Sequence, residues 1–428
     1  MLFCNIRAKL LPALLLIGCG QVLLAQEIAQ QPENENLRYI REFPARAGVN
    51  LHSYEFDPVY DTPAPKGYKP FYISHYGRHG SRSTSSDKTY LSIKKKFEPA
   101  AAKGDLTPEG IRVLEAAKKA IECHNGMEGR LTPRGRREHA TIAERMYHRY
   151  PEVFKKGCKK IFAASSTVPR CLVSMNAFTN KLMSLQKDLQ IDIDTGEKYM
   201  EYIGRGEGSK MREIAKPVTD SLWHTYAVDS TTYLSTLFKD SVTARKYIVK
   251  AYRTERGIFD LAKIMEAFDI DENLFSVLPE DVVYQIAERN SLHIYLHQAN
   301  SARFGDIRMK RPKMLADDII SRADDVISGK AQRAADLRFG HDWPLMGLMA
   351  YFGLEGASEK LSIDEARGHW FATRYIPFAG NLQLIFYRNK KNDILVKFLI
   401  NEKETLIPAL TPVQGPYYRW EDVKQSLE

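Results

Sequence analysis

The chain has 428 residues, 44% of them hydrophobic and 27% charged, with a formal charge of +9. That is ample for a large core, built as one large domain with an insertion or as two domains. The basic surplus favours anionic ligands in general, but no aromatics are interleaved with basic residues, so it makes no case for nucleic acid.

Residues 1–25 have a basic start (Arg7, Lys9), an apolar stretch over 10–17, and a small residue, Ala25, before Gln26. This is a signal-peptide pattern, too short and wrongly flanked for a membrane span. It implies export, periplasmic or extracellular, with cleavage after Ala25. Lipidation at Cys19 is the alternative, because Leu16-Ile17-Gly18-Cys19 resembles a lipoprotein box. Cleavage removes Arg7 and Lys9 and no acid, which lowers the formal charge to +7. Cys123, Cys158 and Cys171 remain; an exported chain permits one disulfide among them, with the pairing open, and their spacing matches no zinc motif. No later stretch is apolar enough to span a bilayer.

Residues 26–37 (QEIAQQPENENL) read as a polar tether. Residues 38–70, with prolines at 44, 58, 63, 65 and 70, read as an irregular segment wrapped on the domain. Together they set a polar, irregular 26–65 apart from a main domain at 66–428. A short apolar-aromatic run at 71–73 reads as a strand entering a turn. Two matching helix starts follow, LTPEG at 106–110 and LTPRG at 131–135, each with Thr to cap and Pro at the first helical position. Ile111, Leu114 and Ile121 mark the face of one helix; Ala143, Met146, Tyr147 and Tyr150 mark the other. Residues 159–165 read as a buried strand, followed by a loop at 166–169, Arg170, and a helix with Leu172, Met175, Phe178, Leu182, Leu185 and Leu189 on one side. Residues 200–313 are helical in pattern with few strand signals, as a cap inserted into an α/β core would be. A weak strand at 335–339 precedes His341 and Asp342, and 344–352 (PLMGLMAYF) reads as a buried helix. Residues 381–388 and 394–401 read as a hairpin.

The densest stretch is 71–82, FYISHYGRHGSR. Gly77 and Gly80 bracket Arg78 and His79, and Arg82 follows. A histidine between glycines can bring its ring to a ligand that also approaches the backbone, and two guanidiniums suit phosphate oxygens. An isolated Arg-His pair is ordinarily a surface turn. Here Arg78/His79, Arg170 and His341/Asp342 each come just past a strand, where the loops of an open α/β sheet form the ligand crevice. Three segments can therefore converge on one phosphate-sized site.

These residues resemble the acid phosphatase and phytase branch of the histidine phosphatase superfamily. Arg78-His79-Gly80-Ser81-Arg82 matches its first motif and Leu131-Thr132-Pro133-Arg134-Gly135 its second helix start. Ser165-Ser166-Thr167-Val168-Pro169-Arg170 matches its third arginine segment, and Gly340-His341-Asp342 its late His-Asp pair. The likeness runs from Tyr68 to Asn401 and is weakest in the middle insertion. Thr84 stands where the branch often has proline. The inositol polyphosphate phosphatases of the superfamily often carry His-Ala-Glu where this chain carries His341-Asp342.

The resemblance implies a mixed-sheet sandwich core with an inserted, mostly helical cap. It implies an exported phosphomonoesterase working through a phosphohistidine, acting on inositol polyphosphates (phytate) or, alternatively, on sugar or other small phosphate monoesters. His79 is then the nucleophile, with Arg78, Arg82, Arg170 and His341 binding the phosphate and Asp342 as general acid. The neighbouring arginines should keep His79 neutral in mildly acid solution. The scheme requires no metal and no cofactor, and its partner is a small phosphate monoester. The rivals are a phosphotransferase of the mutase branch and a non-catalytic phosphate-binding protein. Oligomeric state leaves no trace in the sequence.

Weaker candidates stand apart. His293 and His297 have the i,i+4 spacing of metal ligands but lack the metalloprotease glutamate. Gly204-Arg205-Gly206-Glu207-Gly208 reads as a cap loop. Arg303, Arg308, Lys310, Arg311 and Lys313 form a basic run, solvated unless it overhangs the cleft and meets additional phosphates.

Overall fold

A computed structural model describes residues 34–204, 208–225 and 233–427. The expected signal peptide and most of the expected tether lie outside the described residues, as do Arg205, Gly206 and Glu207 of the glycine-rich stretch. Within residues 34–37, Asn34 caps a helix, α1 (Glu35–Glu42), by accepting from the N–H groups of Asn36 and Leu37. A 3-10 segment at Pro44–Leu51 follows, so this part of the chain holds more regular structure than its proline content indicated.

Among the described residues eight strands form one sheet: β1 (Lys69–Arg78), β2 (Lys160–Ser165), β3 (Gln190–Thr195), β4 (Ala335–Gly340), β5 (Asn381–Arg388), β6 (Ile394–Ile400), β7 (Lys403–Thr405) and β8 (Tyr418–Arg419). Their order is β3-β2-β4-β1-β5-β6-β7, with β8 also on β6. The half from β3 to β1 is parallel; from β1 onward the pairing is antiparallel. The expected hairpin is β5–β6. Strand β1 runs further than its apolar residues foretold, through Gly77 to Arg78, because the sheet continues to pair with it on both sides.

Apolar residues alternate between two cores. Tyr72, Tyr76, Leu382, Leu384, Phe386, Val396 and Phe398 enter one; Ile73, Ile385, Leu395 and Leu399 enter the other. With a strand period of two, both faces of the sheet are covered. The second core includes residues of α4 (Pro133–Arg149) and α5 (Pro169–Leu185). Between β3 and β4 the described residues are helical, with no named strand. Of the face expected for helix α3 (Pro108–His124), Leu114 is buried and Ile121 packs partly buried against the core, but Ile111 is exposed; Val113, Ala116, Ala117 and Ala120 complete the buried side. Cys123, Cys158 and Cys171 are all free thiols, so no disulfide forms among them. Among the described residues no helix is long and apolar enough to cross a membrane.

Candidate active site

The parallel strands set the site. Arg78, the last residue of β1, pairs with Gly340, the last of β4, and Ser165, the last of β2, pairs with Phe339. Their carboxyl ends therefore lie together, and the segments that leave them carry His79, Ser166 to Arg170, and His341-Asp342. The His79 N–H donates to the Gly340 carbonyl at 2.9 Å and the Ser166 N–H to the Phe339 carbonyl at 3.1 Å, which fixes both exits against β4.

The turn after His79 is seated on the start of α4. Thr132 caps that helix by accepting from the Gly135 N–H, and its hydroxyl donates to the Ser81 carbonyl at 3.0 Å. A Cβ on Gly80 would lie 2.5 Å from the Gly135 carbonyl oxygen, and one on Gly135 would lie 2.3 Å from the Ser81 carbonyl oxygen. Both glycines are thus needed for backbone to rest on backbone. Below this contact the buried Glu138 accepts from the Ser81 N–H at 2.7 Å, the Ser81 hydroxyl at 2.6 Å and the Tyr54 N–H at 3.3 Å. Burial pushes its pKa up, while the Ser81 and Tyr54 donors and Arg134 oppose that.

His79 is buried, and its Nδ1 lies 3.0 Å from the Gly80 carbonyl oxygen, a distance at which Nδ1–H donates and leaves the lone pair on Nε2. Burial drives its pKa well below the ordinary value, aided by the positive charges of Arg78, Arg170, His341 and Arg82. All four sequence-expected phosphate binders therefore act on the one ring that the sequence marks as nucleophile. The His341 ring stands edge-on to it at 5.5 Å. The Arg78 guanidinium is fixed by the carbonyls of Asn50 at 2.5 Å and Ile376 at 2.6 Å and lies over the Phe378 ring. The Arg82 Nη1 donates to the Ser83 carbonyl.

His341 and Asp342 open the helix Asp342–Tyr351. The Tyr76 hydroxyl accepts from the His341 N–H at 3.0 Å, and the His341 ring lies 3.3 Å from the Ser166 hydroxyl and 3.6 Å from the Cys171 thiol. The carboxylate of Asp342 accepts from Asn50 Nδ2 at 2.9 Å and from the Trp343 N–H at 3.1 Å, with Arg78 Nη2 at 3.7 Å. Asn50 was invisible in the sequence, one polar residue in an irregular stretch. Glu138 did leave a signal: with His139 it breaks an otherwise small or apolar face of α4.

The basic run divides. Lys313 pairs with Asp317 and Arg303 is exposed, whereas Arg308 is buried with its guanidinium 5.0 Å from the Trp343 ring centroid, donating to the Trp343 carbonyl. Burial, with Arg311 nearby, lowers the Arg308 pKa to about 10. A cavity of about 100 Å³ lies against Lys210, Met211, Ile214, Ile307, Arg308 and Arg311. The His293 and His297 rings lie 4.0 Å apart, tilted by 43°, and no group of three or more metal-ligating side chains gathers among the described residues.

Residues 77–401 match the family model of the histidine phosphatase superfamily (branch 2). Multiple inositol polyphosphate phosphatase 1 of Gallus gallus is 25% identical over 311 residues, 65% of this chain and 64% of that protein. The matched stretch is thus just under two thirds of that relative's length. A solved structure of the Bifidobacterium longum multiple inositol polyphosphate phosphatase, in complex with inositol hexasulfate, superposes with a TM-score of 0.73 at 18% identity, covering 90% of this chain and 97% of that one. The phytase from D. castellii gives 0.68 at 14% identity, covering 90% and 84%. At these identities the two structures bear on the fold, which they share with this chain.

Proposed function

We propose that this chain, which belongs to the histidine phosphatase superfamily (branch 2), is a phosphomonoesterase acting on inositol polyphosphates. The observation that carries the reading is His79: a buried, neutral imidazole with Nδ1 committed to the Gly80 carbonyl and Nε2 left as nucleophile, surrounded by the charges of Arg78, Arg82 and Arg170. Nε2 attacks phosphorus, the arginines and His341 neutralise the phosphoryl oxygens, and Asp342 protonates the leaving oxygen. Water then hydrolyses the phosphohistidine, with Asp342 taking its proton. A His79 that stays neutral in acid and an Asp342 that must hold a proton together place activity on the acid side of neutrality.

Two observations support a multiply phosphorylated substrate. The relatives found by sequence and by structure include multiple inositol polyphosphate phosphatases. The Lys210, Arg308 and Arg311 side chains line one cavity, and Arg308 packs on Trp343, next to Asp342, which suits a second phosphate group. Residues 1–25 carry the signal-peptide pattern, so the enzyme is proposed to act outside the cytoplasm.

Phosphate release from inositol hexakisphosphate and from an aryl phosphate, side by side at acid and neutral pH, tests this, with His79→Ala as the blank. Preference for the inositol ester is the expected result; preference for the aryl ester would make the chain a general acid phosphatase. Release by His79→Ala above about one part in a thousand of wild type would remove His79 as nucleophile.

A further inference from the structure

The corner at residues 49–52 is built around one backbone feature. Val49 is buried with φ 57° and ψ −120°, a conformation that a β-branched residue rarely adopts. It stands directly before Asn50, both polar ends of which are engaged. The Asn50 carbonyl accepts from Arg78 Nη1 at 2.5 Å, and Nδ2 donates to Asp342 Oδ2 at 2.9 Å. The corner is held from behind, since the Phe378 N–H donates to the His52 carbonyl at 2.8 Å. The His52 ring itself lies between Glu55 at 2.7 Å and Glu266 at 2.9 Å.

We infer that Asn50 is a positioning residue for the general acid: its amide N–H holds the Asp342 carboxyl by Oδ2, which also faces Arg78 Nη2, while the Trp343 N–H holds Oδ1, and the proton given to the leaving oxygen rides on the remaining lone pair of Oδ1. The inference rests on the reading of Asp342 as that acid. In the transfer, the bond from His79 Nε2 to phosphorus forms as the bond from phosphorus to the leaving oxygen breaks. The proton passes from Oδ1 to that oxygen, and Asp342 is left as a carboxylate. That carboxylate is the form which a neutral N–H donor stabilises, so the Asn50 contact strengthens as the proton leaves. The same residue fixes Arg78 through its backbone, which ties the clamp and the acid to a single corner. Other groups around Asp342 are Arg78 from β1, Arg308 from the cap, the Tyr76 hydroxyl and the neighbouring His341. All of them persist when only the Asn50 side chain is changed.

The test compares kcat and KM of wild type and Asn50→Ala on an alkyl and an aryl phosphate monoester across pH. An alkyl leaving group needs the proton; an aryl one needs it less. Alkyl kcat is expected to fall about tenfold more than aryl kcat, the scale of one hydrogen bond to a charged group. The alkaline limb of the alkyl profile is expected to move to higher pH, because an acid that has lost a donor to its charged form keeps its proton longer. In an Asp342→Asn background, Asn50→Ala is expected to cost nothing further on the alkyl ester.

Equal losses on the two esters, an additive loss in the Asp342→Asn background, or a raised KM with kcat intact would each overturn the inference. Asn50→Leu keeps the approximate shape and the backbone contact but has no side-chain donor. It must show the same selectivity even if the alanine variant does not fold. Wild-type failure on both esters would remove the parent reading as well, whereas wild-type turnover with an unselective Asn50→Ala would remove only this inference.

Discussion

His75 on β1 and His139 on α4 are buried against Phe339 of β4, and each has its pKa lowered to about 3. Burial is the main cause for both; His139 and Arg338 add repulsion at His75, while the Arg78 carbonyl offsets part of the effect at His139. In the unfolded chain each titrates near ~6.5. The unfolded state therefore binds protons that the fold refuses, and stability is present in full above ~6.5 and lost as pH falls toward 3. For His139 at pH 5 the gap of about 1.5 pH units corresponds to about 2 kcal/mol relative to pH 7.5. Replacing it by phenylalanine removes that proton equilibrium. The packing cost of the larger ring is independent of pH and cancels in the difference between the two pH values. At pH 5 both folded rings are neutral, so their mutual repulsion does not enter. Urea unfolding of wild type and His139→Phe at pH 7.5 and 5.0, followed by tryptophan fluorescence, should show the pH-dependent loss reduced by about 2 kcal/mol in the variant. A loss that matches wild type to within about 0.5 kcal/mol would refute the reasoning.

Two further substitutions test the seat of the catalytic turn. Gly135→Ala puts a methyl group 2.3 Å from the Ser81 carbonyl oxygen and 2.8 Å from the Ser81 nitrogen, atoms that move only with the turn itself. It should cost about 1–3 kcal/mol in thermal unfolding and lower kcat as well, since Ser81 lies between His79 and Arg82; an intact kcat would show that the turn is held elsewhere. Glu138→Ala leaves the Ser81 and Tyr54 N–H groups without this acceptor and should destabilise by about 1–3 kcal/mol. Glu138→Gln retains one carbonyl acceptor and should lose less; equal losses would argue against the hydrogen bonds as the cause.

What was legible in the sequence was what is local. Thr132 and Thr107 cap their helices through the Gly135 and Gly110 N–H groups three residues on, a contact that sequence spacing alone specifies. The positions of Arg78, His79, Arg170, His341 and Asp342 just at or past strand ends were legible too, because a parallel sheet brings such ends together. Ile111 misled because α3 packs through alanines: Ala116, Ala117 and Ala120 let the helix sit close, and they form no conspicuous apolar stripe. The strand β3 escaped notice since Asp192 and Asp194 alternate with its isoleucines at the sheet edge, where an exposed face tolerates charge. Asn50 could not be found at all. Its value lies in a hydrogen bond to a residue 292 positions away, and nothing in its own neighbourhood encodes that.

The corner that holds Asn50 and the floor behind His79 respond to acid in opposite senses. Burial opposes charge on His52, yet hydrogen bonds to Glu266 and Glu55 raise its pKa. Both ring nitrogens then donate, and the imidazolium joins the N-terminal segment to Glu266 of the cap. Glu55 in turn is held down to about 2, against its own burial, by Arg46 and His52. A raised histidine contributes stability that is present below ~6.5 and is lost as pH rises through its folded value. Acidification therefore keeps this joint closed, while His75 and His139 make the floor progressively harder to maintain. The proposed chemistry asks for the same interval: as nucleophile His79 must stay neutral, and as general acid Asp342 must hold a proton to give. A scaffold whose N-terminal joint tightens below ~6.5 and whose floor weakens toward 3 suits an enzyme that works between those limits.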